Sequence, residues 1–208
     1  MRLSQSTLSV LANFVAINPS IVVSRGREIQ TQSGLMRAFA TLEDEFPCDF
    51  AVFDLKRLLA LIAQTETTDV NFENGYLTAG DRSSGGRFKY YYSSPRVVPS
   101  ITLVDESRVA LTVAATLTVT REVMKSLMKS ASTLGAEHVS FSHDGVARAF
   151  FPESNESNLF EIDVPTQLAD SATEFTTVIS LEVLKRLMPS DCYTIQLDQR
   201  GLARLEKI

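Results

Sequence analysis

The chain has no tryptophan, two cysteines and two histidines in 208 residues. Cys48 and Cys192 each stand alone between a turn and an apolar run, outside any CxxC or Cys/His cluster. A zinc-site pattern is therefore missing, and two free, buried thiols are expected, with a disulfide left open. His138 and His143 flank a hairpin pattern with no nucleophile motif beside them, so they read as surface hairpin residues. A glycine-rich phosphate loop is also missing. Ser83-Ser84-Gly85-Gly86 lacks both the Gly-Lys-Ser/Thr ending and a following helix, and reads as a hairpin turn. The acidic trio Glu43, Asp44 and Glu45 precedes Pro47 in what reads as a polar loop, solvated rather than catalytic. No catalytic constellation, metal site or cofactor is expected. No apolar run approaches the roughly 18 residues of a membrane span. Ser4, Gln5, Ser6 and Asn13 interrupt the N-terminal apolar positions, unlike a secretory signal. A chain that meets no membrane and stays in the cytoplasm is the expectation. Positive charge is in deficit too: 20 Lys and Arg stand against 25 Asp and Glu, a net −5. Taken globally, that disfavours a simple nucleic-acid binder.

What is present is a repeat. At 44% hydrophobic residues the chain can bury one large core or two small ones. The order helix, strands, helix, strands runs through it twice with a period near 120. The first helix spans Ser4 to about Ile17, with Thr7, Leu8, Leu11, Phe14 and Val15 on one face and Asn18-Pro19 as the stop. Its counterpart runs from Thr120 to Leu134, with Val123, Met124, Leu127 and Ala131 apolar and Gly135 ending it. A hairpin is expected after each: Ile21–Val23 with Glu28–Gln32, and Val139–Phe141 with Val146–Phe150 around Asp144-Gly145. The second helices align at an offset of 126, Phe50-Ala51-Val52-Phe53-Asp54-Leu55 against Thr176-Thr177-Val178-Ile179-Ser180-Leu181. Strands then resume at 70–72 and 76–79, and again at 193–197 and 202–205. The fold class read from this is α+β: two similar domains, each with two helices packed on antiparallel sheets. The boundaries are 1–93, a connector and entry strand at 94–108 that holds two prolines, and 109–208.

Charge is unevenly distributed over the repeat. The four expected helices (5–17, 54–64, 121–135 and 180–188) carry 0, +1, +2 and +1, which leaves the rest of the chain at −9. Arg121, Lys125 and Lys129 fall at i, i+4 and i+8, turned away from Met124, Leu127 and Ala131. Taken alone, this stripe reads as a solvated helix face. Three of four helices are net basic and none is net acidic, however, which favours phosphate contacts that attract without reading sequence.

Three segments carry a family resemblance: Met1-Arg2-Leu3-Ser4 through Leu11, Asn13-Phe14 and Ile17-Asn18; Asp49 to Leu55 with Leu58 and Leu61; and Ala79-Gly80-Asp81-Arg82-Ser83. Together they resemble the sliding clamps of T-even-type bacteriophages over about the first 95 residues, and in order of elements beyond that. The resemblance implies a homotrimeric ring around double-stranded DNA, independent of sequence. The ring would tether a DNA polymerase, be loaded by a clamp-loader complex, act in late transcription and hydrolyse nothing. It would work in the cytoplasm of an infected bacterial host. Carried over by position, the DNA-facing residues are Lys56, Arg57, Arg121, Lys125, Lys129, Lys185 and Arg186. The subunit contact would pair the strand of Phe88, Tyr90 and Tyr92 with that of Phe160 and Ile162. Val97, Val98 and Ile101, on an apolar and exposed connector, would receive polymerase tails. Two departures from the family pattern stand out: the first helix has no basic residue, and only seven residues follow Gly201 where strands continue for nearly 20 past Gly75, so a final strand beyond 202–205 is expected to be missing. The alternatives are an α+β interaction scaffold that forms no ring and binds no DNA, and an enzyme built on scattered carboxylates.

Overall fold

The computed structural model describes residues 1–65, 68–81, 86–98, 111–150, 160–169, 175–198 and 200–208, and the side chains of Asp81, Ala149 and Phe150 are not described. It divides into two compact units, Met1–Glu106 and Ser107–Ile208.

In the first unit, α1 (Gln5–Ile17) begins at Ser4, whose hydroxyl accepts the Thr7 N–H at 3.1 Å. Such a cap satisfies an N–H group that the helix itself cannot. Thr7, Leu11, Phe14 and Ile17 are buried, at the three- and four-residue spacing of one helix face. Strand β1 (Ile21–Val23) is expected to form a hairpin with the next strand, but it pairs with β4 (Phe50–Val52), Ile21 opposite Val52. Strand β2 (Gly26–Gln32) instead takes β3 (Arg37–Phe46) as its partner. Gly26, at φ +121°, adopts backbone that only glycine enters easily and pairs with Phe46 across an irregular register. The acidic trio lies on β3 rather than in a loop, and Asp44 accepts the Ser4 N–H at 2.6 Å. Burial pushes the Asp44 pKa up, but that hydrogen bond and those of the Thr7 and Ser4 hydroxyls outweigh it, so the carboxyl sits below its usual range.

Helix α2 (Leu55–Gln64) is capped by Asp54, which accepts the Arg57 N–H at 2.9 Å, and it buries Leu55, Leu58 and Ile62. A meander of β5 (Val70–Glu73), β6 (Tyr76–Asp81) and β7 (Gly86–Tyr91) completes the unit. Phe46, Phe50, Phe72 and Tyr92 meet in its core with ring centroids 5.3–5.8 Å apart. Each such pair adds about 1 kcal/mol beyond its buried area. The void beside them, about 20 Å³, is lined only by apolar side chains such as Leu11 and Leu58 and is part of the core.

The second unit repeats the element order. Strand β8 (Val113–Thr120) leads into α3 (Arg121–Leu134), capped by Thr120 and ended by Gly135 in the left-handed conformation. Strands β9 (His138–Ser142), β10 (Val146–Phe150), β11 (Phe160–Asp163) and β13 (Thr176–Ser180) form one sheet in the order β11-β10-β9-β13. A second sheet has the order β12-β8-β14-β15, with β12 at Thr166–Leu168, β14 at Cys192–Asp198 and β15 at Ala203–Lys207. The β9–β10 hairpin is as expected; its Gly145 has φ +83°, and a Cβ there would lie 2.8 Å from both the Val164 oxygen and Thr166 Oγ1. Helix α4 (Leu181–Lys185) is shorter than the expected 180–188. Pro189 disfavours helical backbone at Met188, and the chain turns into β14 instead. Both cysteines are free but half-buried, not buried. His143 is no plain surface residue either; it is half-buried, with its ring 6.3 Å from Phe175. His138 is half-buried with its Nδ1 unpartnered.

Candidate nucleic-acid interface and strand edges

The seven cations expected to face DNA differ in their surroundings. Lys56 and Arg57 are exposed on α2, off the face that buries Leu55, Leu58 and Ile62. Lys125 and Lys129 are exposed one turn apart on α3, about 6 Å along its axis. Lys185, the last residue of α4, is exposed as well. Among the described residues, none of these five makes an ion pair. Arg121 is different: its guanidinium lies 2.7 Å from Asp191 and its Nε donates to the Ser190 carbonyl at 3.1 Å. That contact pins the start of α3 to the segment before β14 and offsets the arginine's charge. Arg186, half-buried, pairs with Glu182 one turn back on α4. Glu122 shares the first turn of α3; its own N–H and the Thr120 hydroxyl hold its carboxyl below the usual range, so it stays ionised beside the stripe. In α1 the exposed residues are Gln5, Ser6, Ser9, Ala12 and Ala16, with no charge among them. In each unit the two helices pack together, α1 with α2 and α3 with α4, and these candidate cations lie on α2, on α3 and at the end of α4.

β7 is one outer strand of β5-β6-β7, and β11 one outer strand of β11-β10-β9-β13. Along β7 burial alternates: Phe88 and Tyr90 turn to the core, while Arg87, Lys89 and Tyr91 face out. The Tyr90 hydroxyl donates to the Asp54 carbonyl at 3.2 Å, and Tyr92, just past the strand, stacks on Phe50. Burial pushes the Tyr92 hydroxyl well above its ordinary pKa. The Lys89 ammonium sits 3.5 Å from the Tyr76 ring centroid and 4.8 Å from that of Tyr91, within cation–π reach. On β11, Phe160 and Ile162 pack against the second core and Glu161 and Asp163 face out. Arg148 reaches across from β10 to Glu161 at 2.5 Å and to Asp144 at 3.5 Å. The outward charges of these strands were not singled out from the sequence. Their signal is the alternation itself, Arg-Phe-Lys-Tyr against Phe-Glu-Ile-Asp, which gains meaning once both strands are known to be edges.

The connector departs from expectation. Val97 is 60% exposed, but Val98 is only 2% exposed. Ser93 donates its N–H to the Ala51 carbonyl at 2.9 Å, which ties the start of the connector to β4. Ile101 lies outside the described residues. Among the described residues no group of three or more His, Cys, Asp or Glu is placed to hold a metal ion, and no helix is long and apolar enough to cross a membrane.

No protein-family model matches the chain. It is 27% identical over 212 residues to the sliding clamp of Vibrio phage KVP40, covering 98% of this chain and 93% of that one. The similarity to that clamp runs along nearly the whole chain. A stretch of 65 residues is 37% identical to the sliding clamp of Escherichia phage RB69, 30% of this chain and 28% of the relative. The fold agrees: the PCNA of A. fulgidus, solved with the C-terminal region of FEN-1, superposes with a TM-score of 0.64 at 15% identity, over 95% of this chain and 86% of that one. The α+β architecture with antiparallel sheets is thus the clamp fold, as the sequence resemblance implied.

Proposed function

We propose that this chain is the sliding clamp of a T-even-type phage: copies of it close around duplex DNA, as a homotrimer, and tether the replicative polymerase. The observation that carries the reading is kinship along nearly the whole chain with a phage clamp. It is joined to exposed, unpaired lysines on the helices of a chain whose net charge is −5. Lys56, Arg57, Lys125, Lys129 and Lys185 supply the sequence-independent attraction to phosphates. Arg121 and Arg186, engaged by Asp191 and Glu182, contribute less. The clamp catalyses no reaction of its own; a separate clamp loader opens it, and it works in the host cytoplasm. The PCNA neighbour holds a segment of another protein, FEN-1. By the same mode the connector at 94–108 receives polymerase tails at Val97 and Ile101, while Val98 is buried. The two clamp domains on either side of it are 1–93 and 109–208. Phe88, Tyr90, Tyr92, Phe160 and Ile162 stiffen the strands that meet between subunits.

The test is topological. Clamp loaded onto nicked circular DNA stays bound through gel filtration at high salt and is lost when the circle is cut. Retention on linear DNA with free ends, or none on circles, refutes the ring and leaves the non-ring scaffold.

A further inference from the structure

The start of α3 is fastened at more points than holding the helix requires. The Arg121 N–H donates to the Asp191 carbonyl at 2.9 Å, and its Nε to the Ser190 carbonyl at 3.1 Å. Ser190 is itself fixed. It is 3% exposed, its N–H donates to the Tyr193 hydroxyl at 3.0 Å, and its hydroxyl donates to the Cys192 carbonyl at 2.8 Å. These backbone acceptors hold the helix and orient the guanidinium without any carboxylate. The Asp191 side chain then adds a contact of 2.7 Å to Arg121 Nη2. That carboxylate is 90% exposed and the arginine side chain 43%, and a pair so open to water contributes little to stability.

The contrast lies along the same stripe. Lys125 and Lys129, one and two turns on, are exposed and make no ion pair among the described residues. On α4 the division recurs: Lys185 is exposed, and Arg186 is paired with Glu182. Arginine grips a phosphate through two parallel hydrogen bonds, whereas lysine meets it as a point charge. The residue best suited to seize a phosphate on α3 is thus the one that carries a carboxylate.

Resting on the DNA-clamp reading above, we infer that Asp191 restrains the clamp's grip on DNA. Its carboxylate holds the guanidinium nitrogen that a DNA phosphate would bind, so the two anions compete for Arg121. Asp191 touches no DNA; it is a positioning residue that acts through the arginine. With Arg121 held back, contact falls to lysines, which attract phosphates without fixed geometry. A two-bond grip on one phosphate must break before each step along a duplex. Asp191 receives the arginine as it leaves a phosphate, so neither state strands an unpaired guanidinium.

The test is a double-mutant cycle on the full chain: D191N, Arg121→Gln and both together. Binding to a labelled linear duplex is read by fluorescence anisotropy across a salt series. D191N removes one negative charge per chain and frees one arginine. At about 2-fold per chain, a ring of three binds about 10-fold more tightly at low salt. The plot of log affinity against log salt steepens by about 0.9 for each arginine that gains a phosphate. In the Arg121→Gln background the same D191N change gives less than about 3-fold. The urea midpoint of D191N stays within about 0.3 M of wild type, because the backbone acceptors remain. Equal gains in both backgrounds overturn the competition, since Asp191 would then act by its charge alone. A D191N protein that binds no more tightly than wild type overturns it too. So does one that unfolds early, which would make the carboxylate a structural clamp. Wild-type protein that binds no duplex even at low salt overturns the DNA-clamp reading, and the competition with it.

Discussion

Helix α3 separates its duties between two faces, so the two can be perturbed independently. Replacing Lys125 and Lys129 by Glu changes the charge of the exposed face by four per chain and touches nothing in the core. A phosphate about 8 Å from each ammonium interacts by roughly 0.5 kcal/mol per unit charge in water, so the double reversal costs about 2 kcal/mol per chain before screening. At physiological salt, where the Debye length is about 8 Å, roughly a third of that survives, or about a 4-fold effect per chain. At about 10 mM salt most of it survives, and the effect rises to roughly 15-fold. The assay is primer extension on a primed circle with polymerase and loader, reading product length at both salts. K125E/K129E should shorten products, more so at low salt. Its urea unfolding midpoint should match wild type to within about 0.5 kcal/mol. The contrasting variant is Leu127→Ala, at a fully buried position of the same helix. It should cost about 2–5 kcal/mol in stability while sparing product length where the protein is folded. Unchanged product length in K125E/K129E at low salt would refute the role given to this face, and so would a loss traceable to unfolding.

Further outcomes follow from single residues. Arg200 donates to Asp198 from its side chain and its backbone, and Thr112 adds a backbone N–H; together these hold the Asp198 carboxyl far below its usual range. The stability it contributes is present above the unfolded pKa of about 4 and fades as pH falls toward the lower folded value. D198N should therefore be less stable than wild type at neutral pH, with a gap in urea midpoint that narrows below about pH 4; a gap independent of pH would contradict this. Gly145→Ala combines left-handed backbone with a Cβ 2.8 Å from a carbonyl oxygen, and should cost at least about 2 kcal/mol, measured as a shifted unfolding midpoint. Val97→Asp should weaken binding of a polymerase tail peptide and leave stability within about 0.5 kcal/mol. Val98→Asp should destabilise by about 3 kcal/mol or more, because it buries a charge.

The parts of this fold that were legible in the sequence are those governed by neighbours along the chain. Ser4, Asp54, Thr120 and Ser180 each cap a helix through an N–H two or three residues on, and all four stood out as caps or helix starts. The β9–β10 hairpin was legible for the same reason, since its turn chemistry is local. What was hidden depends on distant partners. Ile21 meets Val52 rather than the strand that follows it. Arg121 meets Asp191, seventy residues on, so an arginine that looks free in the stripe is held by a carboxylate. Asp44 looked like one acid in a solvated loop and instead secures the start of α1. Val98 is buried although nothing in its neighbours along the chain announces it.

Arg148 has a consequence for assembly. By bridging Ser142, Asp144 and Glu161 it restricts the Glu161 carboxylate before any second chain arrives. Lys89 is restrained likewise between the rings of Tyr76 and Tyr91. Freezing a long side chain on association ordinarily forfeits about 1 kcal/mol of rotational freedom. Here much of that loss is incurred when each unit folds, so Glu161 and Lys89 would meet a partner already largely ordered.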